Sequence, residues 1–291
     1  MLSSIIKRAD QGSLVQVRDS GLTQGLKDAL RDLMNGYNVF LSGPGGTGKS
    51  FLIDHYYNNA MAMYGADSVY KTSTTGISAK LIHGTTLHSF SGIGLGLGTA
   101  EQLLKKITPS ARARLIKCKV LFLDECSMLS GELFEKLNEI FKKIKKNRDP
   151  FGKIQLILIG DFFQLPPVKA DRFCFESEVW KECNFKNHIL SENIRQKDVS
   201  FQEILNEIRV GLCSDKSAAV LESRTKASYN NESGILPSVL RPLNRTVDEI
   251  NTRELGVLLE ADPKPESYTY IPKYSIVYNR TAKSTQEIID L

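Results

Sequence analysis

The sequence predicts an α/β fold, a parallel sheet with helices packed on its faces. Two observations carry that expectation. Short β-branched or apolar runs, YNVFL (37–41), SVYKTS (68–73), KVLFLD (119–124), KIQLILIG (153–160) and KNHIL (186–190), alternate with segments of helical spacing. Such alternation builds parallel strands joined by crossover helices. Several runs are also continuously apolar, as in strands covered on both faces.

The helical segments follow in order. One precedes the loop at 43–50, with Leu26, Ala29, Leu30 and Leu33 on one helix face. A second helix starts near Ser50. A third, GELFEKLNEIFKKIKK, places Leu133, Leu137, Ile140 and Ile144 on one side and gathers its lysines at the C-terminal end, where they favour the helix dipole. SGIGLGLGTA (91–100) reads as a flexible connection that opens a small insertion near 91–118. The stretch from about 214 to 234 is polar and weakly patterned. ILPSVLRPLNRTVDEINTREL then predicts a strand followed by a helix.

Composition bounds the function. The chain has 291 residues, 41% hydrophobic and 24% charged, which excludes a disordered polymer and leaves room for about two domains. No run reaches the ~18 apolar residues of a membrane helix, so no membrane partner is expected. The net charge of +5 permits a polyanionic partner without demanding one. Five cysteines, Cys118, Cys126, Cys174, Cys183 and Cys213, form no CxxC pair and read as free thiols in a reducing, intracellular setting. Nucleus, mitochondrion and a viral or cytoplasmic setting all stay open. The four histidines do not cluster with cysteines, so no zinc site is expected. Residues 1–20 are a lead-in, disordered or capping, with a mitochondrial presequence as the alternative.

Chemistry enters with Gly43-Pro44-Gly45-Gly46-Thr47-Gly48-Lys49-Ser50, which fits G-x-x-x-x-G-K-[ST] between a strand and a helix. Glycines there let backbone N–H groups close around phosphate oxygens. Lys49 reaches the β- and γ-phosphates, Ser50 holds Mg²⁺, and the helix N-terminus adds partial positive charge. VLFLDECSM (120–128) ends an apolar strand in two carboxylates. Asp124 suits Mg²⁺, directly or through water, and Glu125 orients or deprotonates the attacking water. In LILIGDFFQLPPV (156–168), Asp161 and Gln164 emerge after a strand. Gln164, which can donate and accept, reads equally well as a γ-phosphate sensor or as a buried amide tying down a turn. TSTTGISAKLIHGTTLHSFSGIG (72–94) is dense in hydroxyls that can grip a phosphodiester chain. His88 and Phe90 suit stacking on bases or sugars, the alternative being a polar loop with Phe90 in the core. Arg195 in LSENIRQKD (190–198) follows the last strand; a lone arginine is ordinarily a surface residue, but one across a cleft can neutralise γ-phosphate charge.

Taken in order, GPGGTGKS, STTGISAKLIHGTTLHSFSGIG, LFLDECSM, GDFFQLPPV and LSENIRQ resemble motifs I, Ia, II, III and IV of the Pif (petite integration frequency) DNA helicases, relatives of RecD in helicase superfamily 1. GDxxQLPPV together with TTGxxA…HSF carries the specificity. The resemblance is clear from about residue 20 to 200 and weaker through LRPLNRTVDEIN. It implies a P-loop NTPase with two RecA-like domains, ATP between them and single-stranded DNA across their tops. Residues 21–190 then form the first domain and 191–291 part of the second. By the same resemblance, Lys49, Ser50, Asp124 and Glu125 hold phosphate and Mg²⁺, Gln164 senses the γ-phosphate and Arg195 is an arginine finger. Thr75, His88 and Phe90 fall in the DNA-contacting motif. The implied activity is ATP-dependent 5′–3′ movement on single-stranded and forked DNA by a monomer, serving DNA repair, recombination, telomere and genome maintenance.

Two departures qualify the resemblance. Where the family places an adenine-reading glutamine, this sequence has Leu26, with Gln24 two residues away. The family's inserted barrel domain and its second arginine, near an H-K-S-Q-G phrase, do not occur, so the chain is expected to stop partway through the second motor domain. The alternative function is therefore a truncated, nucleotide-dependent DNA-binding module that does not unwind. A P-loop switch unrelated to DNA is disfavoured by TTGISA…HSF and GDFFQLPPV.

Overall fold

The structure is a computed structural model that describes residues 22–194, 196–225, 238–260 and 266–270. The chain divides into two compact units, Met1–Thr225 and Lys226–Leu291. The lead-in of residues 1–20 lies outside the described residues.

In the first unit α1 (Gln24–Met34) precedes β1 (Val39–Ser42), and α2 (Lys49–Tyr64) follows the glycine-rich loop. Next come β2 (Val69–Ser73), α3 (Gly76–Leu81), β3 (Thr85–Thr86), α4 (Leu87–Ser91), α5 (Ala100–Lys106) and α6 (Pro109–Lys117). The unit continues through β4 (Val120–Asp124), α7 (Gly131–Lys145), β5 (Gln155–Ile159), α8 (Glu178–Glu182), β6 (Lys186–Ile189), α9 (Val199–Arg209) and α10 (Asp215–Thr225). In the second unit, α11 (Asn244–Leu259) begins within the expected strand-then-helix segment and runs four residues past its end at Leu255. The strand expected there is not formed at 238–240, and residues 235–237 lie outside the described residues.

The strands form one parallel sheet in the order β3-β2-β4-β5-β1-β6. Strand side chains alternate between faces, and both faces of this sheet are covered. Leu121 and Leu123 of β4, with Leu156 and Leu158 of β5, join one core with Phe134, Leu137 and Ile140 of α7. Val120, Phe122, Ile157 and Ile159 join the other, against Leu26 and Leu33 of α1 and Leu52 and Tyr56 of α2. This explains why the central strands β4 and β5 are apolar at every position but Asp124 and Gln155 at their ends. Tyr56 and Gln155 bring polar atoms into the second core, and they satisfy each other: the Tyr56 hydroxyl donates to Gln155 Oε1 at 2.7 Å. The Gln155 amide donates in turn to the Leu33 and Tyr37 carbonyls.

Helix starts follow local chemistry. Thr23, Thr75, Thr86, Thr108 and Ser130 each accept an N–H from the first turn of the helix they open, and Thr99 and Gln102 form a capping box on α5. The two-residue β3 is too short to leave a sequence pattern. It pairs Thr85 and Thr86 with Thr72 and Ser73, and Gly84 permits the approach, since a Cβ there would lie 2.3 Å from the Lys71 carbonyl oxygen.

Two expectations about organisation change in detail. The expected small insertion near 91–118 packs into the sheet, because Ile93, Leu103, Ile107, Ala111 and Leu115 are buried in the core shared with β4 and β5. A new domain was expected from residue 191, whereas the division by contacts keeps residues up to Thr225 with the first unit. Backbone and side-chain bonds from 193–209 to the glycine-rich loop and to Asp161 account for this.

Candidate nucleotide site and nucleic-acid face

Parallel α/β sheets bind ligands beyond the carboxyl ends of their strands, where the chain order reverses. Here β1 leads away to β2, three places along the sheet, while β6 is added on its other side. The glycine-rich loop leaves β1, Asp124 ends β4, and Asp161 follows β5. These three strands are neighbours, so the motifs converge.

The loop is shaped by close approach. Gly43 has φ +145°, and a Cβ on it would lie 2.3 Å from the Leu190 carbonyl oxygen. Gly48, with φ +89°, starts α2; its Cβ would come within 3.1 Å of Leu26 Cδ1. The buried Thr47 hydroxyl donates to the Pro44 carbonyl at 3.0 Å. Lys49 Nζ donates to the Gly43 and Pro44 carbonyls at 2.6 and 2.8 Å, and so lies within the curl of the loop. Burial holds its pKa below the ordinary value, while Asp161, Asp124 and Glu125 pull it back up. Gly45 and Gly46 are bound from outside: Asn193 Nδ2 donates to the Gly45 carbonyl at 3.0 Å, and Ile194 N to the Gly46 carbonyl at 2.8 Å.

Asp124 and Glu125 are half-buried, and burial raises both carboxyls above their ordinary range. The Glu125 amide donates to Asp124 Oδ1 at 3.0 Å. Glu125 has φ 53° and ψ 43°, a left-handed conformation unusual for a residue with a side chain. Its carbonyl accepts the Thr74 hydroxyl at 3.0 Å, and the Asp124 carbonyl accepts the Ser73 hydroxyl at 3.2 Å. The Thr72 hydroxyl donates to the Phe122 carbonyl at 2.7 Å. Three of the hydroxyls that the sequence offered to a phosphodiester chain are thus spent pinning the acidic strand end from β2.

Ser50 is exposed at the start of α2. Its hydroxyl and the Asp124 carboxylate are the hard oxygen donors that Mg²⁺ takes. Among the described residues no group of three or more His, Cys, Asp or Glu gathers as a self-sufficient metal site, so the donor set fits an ion shared with phosphate oxygens.

Beyond β5, Gln164 is exposed, which removes the buried-amide reading, although it does brace its turn. Its N–H donates to the Asp161 carbonyl at 2.8 Å and its Nε2 lies 3.4 Å from Asp161 Oδ2. A cavity of about 310 Å³ is lined by Pro44, Gly45, Asp161, Gln164, Asn193 and Arg209, among others, and so joins three of the sequence motifs. Arg195 lies outside the described residues. Arg209 and Asn193 were not anticipated. Asn193 stands inside the quoted LSENIRQ phrase, whereas Arg209 gives no signal beyond being a cation at the end of an amphipathic helix.

Of the residues expected to contact DNA, Thr75 caps α3, its hydroxyl oxygen accepting the Ser78 N–H at 3.2 Å. Half-buried His88 packs toward Gly96, and burial lowers its pKa. Phe90 requires a correction: it is 2% exposed, its ring centroid 4.8 Å from that of Tyr70, and it belongs to the core shared with Leu87 and Leu115. It has no open face for a base, because its place on the short α4 turns it under the helix. Leu26, 1% exposed, is likewise core, packed beneath the start of α2. Gln24 is exposed and donates to Asp28 Oδ1 at 3.2 Å.

A parallel sheet carrying this loop, an acidic strand end and a polar turn on neighbouring strands defines a P-loop NTPase with a RecA-like fold. The chain belongs to the PIF1-like helicase family, whose family model matches residues 26–219. It is 41% identical over 259 residues to the ATP-dependent DNA helicase RRM3 of Saccharomyces cerevisiae, an alignment covering 84% of this chain and 36% of that protein. The crystal structure of the Pif1 helicase from Candida albicans matches with a TM-score of 0.77 at 40% identity, over 81% of this chain and 54% of that one. Bacteroides Pif1 bound to single-stranded DNA matches with a TM-score of 0.69 at 26% identity, over 81% and 56% of the two chains. The chain therefore spans about a third of the yeast protein and about half of each solved chain.

Proposed function

We propose that this chain carries the ATP-hydrolysing part of a 5′–3′ DNA translocase that acts, as a monomer, on single-stranded and forked DNA in genome maintenance. The observation that carries this reading is the convergence of Lys49, Asp124, Glu125 and the 161–164 turn at the carboxyl ends of neighbouring strands. Lys49 exchanges its two loop carbonyls for phosphate oxygens. Glu125 orients or deprotonates the attacking water, and Gln164 follows the γ-phosphate from its exposed turn. Ser50 and Asp124 would hold Mg²⁺, which when bound neutralises charge on the phosphates. Arg195 supplies a further cation as the arginine finger. Thr75 and His88 face the DNA. Residues 191–291 contribute part of the second RecA-like domain.

A Bacteroides relative was crystallised on single-stranded DNA, which supports the choice of partner. A second reading is a nucleotide-dependent DNA-binding module without unwinding. The ATPase rate with and without single-stranded DNA separates the two. Strong stimulation marks a motor; DNA binding without stimulation marks the module; no DNA effect of either kind overturns both. Lys49→Ala is expected to abolish turnover and keep DNA binding, and preserved hydrolysis in that variant refutes the site.

A further inference from the structure

Arg209 closes α9 and belongs to none of the motifs that located the nucleotide site. Its guanidinium meets Asp161 as a fork: Nε donates to Oδ2 at 2.6 Å and Nη2 to Oδ1 at 2.7 Å. Asp161 is 1% exposed. The same carboxylate accepts the Phe163 N–H at 3.2 Å and lies 3.4 Å from Gln164 Nε2, while the Asp161 carbonyl accepts the Gln164 N–H. The guanidinium also stands over the Phe163 ring, 4.5 Å from its centroid. A single cation thus braces the whole turn 161–164 from a helix 48 residues further along the chain.

Gln164 is exposed, so core packing does not fix it; the turn does, and the turn hangs on Asp161. A buried carboxylate without a partner is costly and seeks another cation. Arg209 satisfies Asp161 locally, with both carboxylate oxygens engaged by the fork.

We propose that Arg209 is a positioning residue for ATP hydrolysis: by pairing with Asp161 it sets the turn that carries Gln164. The proposal rests on the ATP-hydrolysing reading above, and the test separates the two. Trp180, the only tryptophan, has its ring 6.0 Å from that of Phe162, so its emission reports on the turn without any turnover. In the full 291-residue chain, Arg209→Ala is expected to unfold cooperatively and to bind Mg-ADP within about threefold of wild type. Its kcat should fall by about tenfold or more with KM for ATP little changed, and its Trp180 emission should differ from wild type. Arg209→Lys, which keeps the charge but not the fork, should recover part of the rate.

A kcat for Arg209→Ala within twofold of wild type overturns the proposal, as does an Arg209→Lys rate no better than that of Arg209→Ala with Trp180 emission unchanged. Should Arg209→Ala not fold, a wild-type kcat in Arg209→Lys overturns it instead. Should the wild-type chain not hydrolyse ATP at all, the ATP-hydrolysing reading fails for this chain. The Trp180 response to Mg-ADP then still decides: identical responses in wild type and Arg209→Lys sink the latch.

Discussion

Glu125 combines the proposed hydrolytic carboxylate with a left-handed backbone, and the two properties can be separated by comparing Glu125→Gly with Glu125→Ala. Both variants lose the carboxylate, so hydrolysis should collapse in both. They differ in what the backbone tolerates. With φ 53° and ψ 43°, an alanine keeps the cost of the left-handed region, about 1–2 kcal/mol for a residue with a Cβ. Glycine escapes it but returns about 0.4–1 kcal/mol through the freedom of its unfolded chain. The balance favours glycine by about 1 kcal/mol. At an ordinary helical or extended position the sign is reversed, glycine being the weaker by about 0.5–1 kcal/mol, so the sign alone is diagnostic. Urea denaturation with matched slopes reads it as a midpoint shift. An alanine variant as stable as the glycine variant, or more so, refutes the strained geometry. A glycine variant that still hydrolyses ATP at the wild-type rate refutes the role of the carboxylate.

Thr74→Val removes the hydroxyl that donates to the Glu125 carbonyl; stability should fall by about 1 kcal/mol and kcat by about fivefold with KM unchanged, and an unaltered kcat would mean that the bond does not hold the carboxylate in place. Burial raises the Glu125 carboxyl above its ordinary 4.5, so the acid limb of kcat should lie above that pH and should not shift in a variant such as His88→Asn, away from the carboxylates. By linkage, the raised pKa contributes stability that is present below 4.5 and lost as pH rises through the folded value, and Glu125→Gln should remove that dependence in denaturation midpoints measured across the window. Phe90→Ala should cost about 3–5 kcal/mol as a core truncation, whereas Phe90→Leu should bind single-stranded DNA as wild type does; a specific loss of DNA affinity in a stable Phe90→Leu chain would restore the stacking role.

What the sequence disclosed and what it hid divide along physical lines. The central strands β4 and β5 were legible because they are covered on both faces and are apolar but for Asp124 and Gln155 at their ends; the alternate positions Val120, Phe122 and Leu121, Leu123 serve opposite cores. The loop from Gly43 to Ser50 was legible because phosphate binding by backbone N–H groups is a local property of consecutive residues. Polar residues at strand ends were visible, but their direction was not. Thr72, Ser73 and Thr74 look like ligand groups until the register of β2 against β4 sets them opposite the carbonyls of Phe122, Asp124 and Glu125. Phe90 failed for the complementary reason. One aromatic in a polar stretch has no periodicity to assign its side, and only the placing of α4 over Tyr70 buries it.

The pairing of Arg209 with Asp161 was beyond reach of any local pattern, since it joins a turn to a helix through tertiary structure alone. These cases lead to one mechanical consequence. The acidic strand end is pinned from β2, by the strand that leads into the proposed DNA-facing Thr75, and the polar turn is pinned from α9. The groups assigned to hydrolysis are therefore held by neighbours on both sides, and a displacement of either neighbour reaches Glu125 through one hydrogen bond from Thr74 or Gln164 by way of Asp161. That arrangement suits a site whose turnover must answer to what the surrounding elements grip.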